Sequence, residues 1–121
     1  MEKFPRIYYH PHGDYQTLKR IAYVNVSSPA TSAVVAAPSS PMCVGVFAIE
    51  IRADVDATVI FKSGTTVIDA TEYVAAQGGS NRGNADNQTP LLVCAPGEAL
   101  NATCTGSGNV AIRVIWAPIP K

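Results

Sequence analysis

The fold is decided by one stretch, ATVIFKSGTTVIDA, which occupies residues 57–70. Its first half is rich in β-branched and aromatic residues and ends at Ser63-Gly64, a tight-turn signal because glycine readily adopts positive φ. The second half, from Thr65 to Ala70, is again rich in β-branched residues. The stretch therefore predicts a β-hairpin.

The alternation of strands and turns continues on both sides of this hairpin. Upstream, strands are predicted over 21–26, 31–36 and 43–53, and downstream over 90–95, 99–105 and 110–116. Within the longest of them we expect Phe47, Ile49 and Ile51 to face the core. Glu50 and Arg52, on the opposite parity, are expected to face solvent or a partner.

Seven or eight short strands with glycine and proline turns, and no convincing helix, indicate an all-β fold. We expect an antiparallel β-sandwich or jelly roll over residues 20–121, preceded by an extended N-terminal arm over residues 1–19. A length of 121 residues suits one domain with one core.

The composition argues against several classes of function. Only 15% of the residues are charged, against about 25% in typical soluble domains, and nine basic residues balance nine acidic ones. Because nucleic-acid binding needs clustered basic residues, no nucleic-acid partner is expected. The first residues do not resemble a secretory signal, and no run approaches the ~20 apolar residues of a membrane span. We therefore expect synthesis in a cytoplasm and no membrane partner.

The arm concentrates aromatic side chains. Four of the nine aromatic residues, Phe4, Tyr8, Tyr9 and Tyr15, fall within its first fifteen positions. Exposed aromatic clusters mark interaction sites, so this one is expected to be covered. Two alternatives stay open: the arm folds back over its own sandwich, or it contacts a neighbouring subunit or a larger scaffold.

A polar insert, Gln77 to Thr89, separates two predicted strands. It is expected to be an exposed loop of thirteen residues, and loops of this length in compact domains are usually functional or mobile. Its hydrogen-bonding side chains suit a protein surface or a glycan, and the alternative is a mobile tip with no role. The candidate contact residues are Asn81, Arg82, Asn84 and Asn87.

No pattern in the chain predicts a catalytic, cofactor or metal site. His10, His12 and Asp14 are spaced as metal ligands are, but no third histidine or cysteine lies nearby, so we interpret them as a polar turn and not as a metal site or hydrolase. Asp54 and Asp56 are interpreted as turn formers that bond their own backbone. We expect no cofactor and no enzyme activity.

The three cysteines are odd in number and lack Cys-x-x-Cys spacing. Cys43, Cys94 and Cys104 are therefore expected to be buried thiols that pack as small apolar side chains. A disulfide between Cys94 and Cys104 is the alternative, because they lie on neighbouring predicted strands.

Several words of the sequence, in this order and spacing, resemble small proteins encoded in the head-gene regions of tailed bacteriophages. They are VIFKSGTTVI (59–68), AQGG (76–79), APGEALNAT (95–103) and GNVAIRV (108–114). In that group, small β-sandwich proteins act as capsid decoration, or cement, proteins and commonly assemble as trimers on the outside of the shell. The insert over 81–88 replaces what looks like a shorter, more apolar connection in those proteins.

The resemblance implies a structural virion protein on the capsid exterior. Its expected partners are the major capsid protein and further copies of itself, as a homotrimer, and it brings no catalytic residues. The alternative function is a tail or fibre adhesion module that binds a glycan or receptor through the polar insert.

Overall fold

The computed structural model of the protein describes residues 19–83 and 89–120, which form ten β-strands and no helix. The all-β antiparallel β-sandwich expected from the sequence is confirmed. The strands are β1 (Arg20–Ser27), β2 (Ala30–Val35), β3 (Cys43–Ala53), β4 (Ala57–Ser63), β5 (Thr66–Val67), β6 (Glu72–Val74), β7 (Gly79–Gly83), β8 (Leu92–Val93), β9 (Leu100–Thr105) and β10 (Asn109–Ile119).

The strands form two sheets. Sheet 1 has the order β1-β10-β3-β7, and β8 pairs with β3 beyond the end of β7. Sheet 2 has the order β2-β9-β4-β5, and β6 also pairs with β4. All pairs are antiparallel. The chain crosses repeatedly between the sheets, because several consecutive strands belong to different sheets.

The core lies between the two sheets. Alternate residues of β10 supply Val110, Ile112 and Val114, each with no exposed surface, and β4 supplies Val59 and Phe61 in the same state. Burying a side chain of this size contributes about 1.5–3 kcal/mol relative to leaving it in water. The alternation of apolar residues along these strands therefore decides which side of each sheet packs against the core.

Several strand bounds differ from the predicted ones. The second strand of the hairpin shrinks to Thr66–Val67 and the strand over 90–95 to Leu92–Val93, whereas β10 continues through Pro118 to Ile119. Residues 72–74 form a further short strand, β6, which pairs with β4. The largest difference is in the polar insert, where Gly79–Gly83 pairs with β3 as the edge strand β7.

A β-bulge in the centre of sheet 1 changes the expected direction of Phe47. Ala48 lies opposite Ile115 but Val46 lies opposite Trp116, so Phe47 is the extra residue on β3. Its ring is fully buried, yet it stands apart from the core that holds Ile49 and Ile51, and the ammonium of Lys19 lies 4.7 Å from the ring centroid. The prediction that Ile49 and Ile51 face the core is confirmed. Phe47 is buried as expected, but the register directs it to the other side of the sheet.

The turn between β9 and β10 depends on a glycine that leaves no room for a side chain. A Cβ at Gly108 would collide with the Asp54 carboxylate and would lie 2.7 Å from a methyl group of Val55. Asp54 also accepts the backbone N–H of Asn109 at 2.8 Å. The close approach of this turn to the β3–β4 connection therefore requires glycine.

We predict that Gly108→Ala lowers the free energy of unfolding by about 1–3 kcal/mol, because the methyl group would push the two turns apart. Thermal or chemical unfolding measures this change. Gly83→Ala is the matched control, since its Cβ would meet nothing closer than the Ala48 methyl at 3.4 Å. Equal stability of the two variants would contradict the tight turn.

Candidate interaction surface

The register of sheet 1 sets the composition of its solvent-facing side, which we call the outer face. Residues directly opposite each other on paired strands share a face, so three rows run across β1, β10, β3 and β7 in that order. The upper row is Asn25, Ala111, Arg52, Gly79; the middle row is Tyr23, Arg113, Glu50, Asn81; the lower row is Ile21, Ile115, Ala48, Gly83.

The charges of the outer face meet at one carboxylate. Arg113 donates to one Glu50 oxygen at 3.3 Å, and Arg52 donates to the other at 3.0 Å. The arginine side chains are 53% and 68% exposed and Glu50 is 31% exposed, so each pair contributes less than about 1 kcal/mol to folding. The ion pairs therefore orient the side chains at the surface more than they stabilise the sandwich.

Side chains project further from the outer face at β1 than at β7. Ile21 and Tyr23 are 62% and 73% exposed and project from β1. On β7, Gly79 and Gly83 provide no side chain. Shallow depressions lie on both sides of the Arg113–Glu50 pair, one over Ala111 beside Tyr23 and the other over Ala48 and Gly83.

The structure separates the residues that were predicted to act together in the polar insert. Asn81 lies in the middle row of the outer face. Arg82, one position further along β7, points to the opposite side of the strand, so it is not the free loop contact that was predicted. Asn84 and Asn87 lie outside the described residues.

Arg82 instead joins the two sheets at their open edge. Its guanidinium donates to Asp69 and its Nε lies 3.9 Å from a Glu72 oxygen. Ser80, on the same side of β7, donates to Glu72 at 2.6 Å. Because Asp69 and Glu72 belong to the β5–β6 region of sheet 2, these contacts connect β7 of sheet 1 to sheet 2. The insert is thus partly a structural edge and not only an exposed loop.

The arm residues proposed as contacts, Phe4, Tyr8, Tyr9 and Tyr15, lie outside the described residues, as do His10, His12 and Asp14. At the start of the described chain, Lys19 lies over Phe47, and the Arg20 guanidinium is 5.2 Å from the centroid of the Trp116 ring. Cation–π contacts of this kind contribute about 0.5–2 kcal/mol. They hold the beginning of β1 against the bulged end of sheet 1.

The remaining candidate groups have structural partners. Asp54 accepts from Asn109, and Asp56 accepts the backbone N–H of Ala76 at 2.8 Å. Both carboxylates lie in the β3–β4 connection, but they bond the backbone of distant segments and not their own, so that part of the interpretation is wrong. Cys43, Cys94 and Cys104 are buried free thiols, as predicted, so the alternative disulfide between Cys94 and Cys104 is wrong.

A small polar network surrounds one of the thiols. Ser63 is buried, donates to Glu98 at 2.6 Å and accepts the backbone N–H of Ala95 at 2.8 Å. Burial raises the pKa of the Cys94 thiol to about 11, although a hydrogen bond with Ser63 acts in the opposite direction. Burial alone raises the pKa of Cys104 to about 11. Both thiols are therefore protonated at neutral pH and unsuited to nucleophilic chemistry.

Within residues 19–83 and 89–120, no three His, Cys, Asp or Glu side chains come together as metal ligands do. The same residues contain no helix long and apolar enough to cross a membrane. Comparison of the chain with protein-family models and with curated proteins gives no match.

Sequence reasoning found only part of this surface. The parity of β3 correctly predicted that Glu50 and Arg52 point away from the core. Tyr23 and Arg113 carried the same parity signal on their own strands, but only the register shows that they share a row with Glu50.

We predict that Arg82→Met lowers the free energy of unfolding by about 1 kcal/mol, because Asp69 and Glu72 lose their shared cation at the edge of the sandwich. Urea unfolding at low salt measures the change, and added salt should reduce it. Arg52→Met, on the exposed outer face, serves as the control and should have a smaller effect. Equal effects of the two substitutions would contradict the inter-sheet role of Arg82.

We also predict a decline in stability as the pH rises from about 9 to about 11. The unfolded Cys104 thiol ionises at its usual pKa near 9, whereas the folded thiol stays neutral up to about 11, so ionisation favours unfolding within this window. Cys104→Ala should reduce the dependence of the unfolding free energy on pH without abolishing it, because the buried Cys94 thiol, whose pKa is also raised to about 11, contributes in the same window. Val59→Ala, at the position opposite Cys104, should lower stability without changing that slope. Identical slopes for both variants would contradict the prediction.

Proposed function

We propose that this chain is a structural virion protein that decorates and stabilises the outside of a tailed-phage capsid by bridging capsomers. The observation that carries the proposal is the outer face of sheet 1, which exposes Ile21 and Tyr23 beside an ordered row of charges. Exposed aromatic and arginine side chains on one face favour contact with another protein. The resemblance to phage cement proteins supplies the identity of that assembly.

In this proposal, the sandwich is a rigid block and the contacts come from two parts of the chain. The outer face of sheet 1 offers a surface for further copies of the protein. The arm, through Phe4, Tyr8, Tyr9 and Tyr15, reaches the major capsid protein or an adjacent subunit. Several weak contacts from one assembled unit, a homotrimer by the resemblance, bind a shell cooperatively because each bound contact raises the effective concentration of the next.

We predict that deletion of residues 1–15 lowers the occupancy of the protein on expanded capsids by about tenfold or more, since it removes the aromatic anchors. Co-sedimentation with capsids measures the occupancy. A full-length variant with serine at Phe4, Tyr8, Tyr9 and Tyr15 should show the same loss, which separates aromatic contact from arm length. Tyr73→Ala, which removes an exposed aromatic ring on sheet 2, is the control and should bind normally. Unchanged occupancy of the truncated protein would contradict the role of the arm.

One observation favours a second candidate, a glycan- or receptor-binding module of a tail or fibre. Tyr23 stands beside a shallow depression lined by Glu50, Arg52 and Arg113, and Asn81 completes the row. An aromatic ring with adjacent hydrogen-bonding groups is an arrangement that orients a small polar ligand. Binding on a glycan array that Tyr23→Ala and Asn81→Ala both abolish would favour adhesion. A silent array together with capsid co-sedimentation would favour decoration.

A further inference from the structure

The middle row of the outer face is complementary to its own reverse. Read from β1 to β7, it presents Tyr23, Arg113, Glu50 and Asn81. A second copy turned by 180° about an axis parallel to the strands would lay the same row over it in the opposite order. Each Arg113 would then lie over the partner's Glu50, and each Tyr23 over the partner's Asn81.

The lower row also fits the lower row of the rotated copy, in this case by shape. Its β1 half carries Ile21 and Ile115, and its β7 half carries Ala48 and Gly83. Reversal places the two isoleucines of one copy over the alanine and glycine of the other, where the surface is depressed. The raised side of one face thus fits the low side of its partner, and both exposed apolar side chains of β1 lose contact with water.

The upper row repeats the pattern. Arg52 of one copy would lie over Ala111 of the other, beside the depression that this alanine leaves next to Tyr23. Asn25 would lie over Gly79. All three rows therefore bring a long side chain over a short one, or a cation over an anion, under one rotation.

We propose that the outer face of sheet 1 pairs with the same face of a second copy of this chain about a two-fold axis parallel to the strands. Sheets that pack face to face lie about 10 Å apart with strands within about 30° of alignment, so the rows stay in register near the centre. The Arg113 and Glu50 side chains of the two copies form an alternating square of charge across the interface. Such an isologous contact uses one patch twice.

The area of the face limits the strength of the pairing. Four strands spaced by about 4.8 Å and five residues per strand cover roughly 300 Å² of each copy. Stable interfaces bury about 800 Å² on each side. The pairing is consequently weak in free solution and depends on concentration. On a shell, where neighbouring copies are held close together, it becomes effective.

This inference names the partner of the face on which the proposed function rests, but its test needs no capsid. Pairing in solution can fail while capsid binding succeeds, and capsid binding can fail while pairing in solution succeeds. The two results are therefore distinguishable. The two-fold contact is also separate from any three-fold contact made through other surfaces, because it depends on the pairing of Arg113 with Glu50 of the second copy.

Charge reversal tests the pairing directly. Glu50→Arg places two cations in each middle row and Arg113→Glu places two anions, so each variant alone should self-associate about tenfold or more weakly than the native chain. An equimolar mixture of the two variants should restore association, because cations then face anions in the mixed pair. The double variant, with both charges exchanged, should associate with itself. Sedimentation velocity of the full chain over a range of concentrations measures all four samples.

Controls separate the interface from effects on folding. Lys62→Glu reverses a charge on sheet 2 and should leave association unchanged. Tyr23→Ala should weaken association while Tyr73→Ala, a substitution of a similarly exposed tyrosine on sheet 2, should not. The Tyr23 result stands even if a charge variant folds poorly. A native chain that stays monomeric at every concentration, or an assembly that is indifferent to both charge reversals and to Tyr23→Ala, would overturn the proposal.

Discussion

The pairing of β3 with β10 determines both sides of sheet 1. On the inner side, Ile51 lies opposite Ile112 and both are buried. One residue further along, Glu50 lies opposite Arg113 on the outer side. Because side chains alternate with a period of two, a slip by one residue would move the charged pair into the core. The energy of the core therefore enforces the arrangement of the outer face.

The bulge at Phe47 divides this strand pair into two parts. At the Cys43 end of β3, the outer side is no longer exposed, since Phe47 and Ala117 have no accessible surface and Ile119 is nearly buried. From Ala48 toward Ala53, the outer face stays open. A single extra residue on β3 thus separates a covered apolar end of the sheet from the exposed rows that we propose as the interaction surface.

The fold class was predictable because parity and turn residues are local signals. The alternation in β3 correctly assigned Ile49, Ile51, Glu50 and Arg52 to their sides. The direction of Phe47 was not predictable, because a bulge arises from the pairing of two strands that are distant in the sequence. The edge strand β7 was missed for a related reason. Its residues have low β-propensity, and it forms through backbone pairing with β3 and through the contacts of Arg82 with distant carboxylates.

The surface that emerged was thus only partly visible in the sequence. Asn81, predicted as a loop contact, belongs to a row of sheet 1 in the structure, whereas no sequence signal places Tyr23 and Arg113 beside it. Register is a long-range property, and a row across four strands joins residues that are separated by as many as 90 positions between Tyr23 and Arg113. Function that depends on such a row has no compact sequence motif.

The central claim, that the outer face of sheet 1 is a self-complementary interaction surface, is tested most directly by isotope-filtered nuclear Overhauser measurements on a concentrated mixture of labelled and unlabelled chains. We expect contacts between copies from the Tyr23 ring to the side-chain amide of Asn81, from Ile21 to Gly83 and from Ile115 to Ala48. Contacts between copies that arise only from sheet 2, or none at concentrations where the mass shows association, would contradict the account.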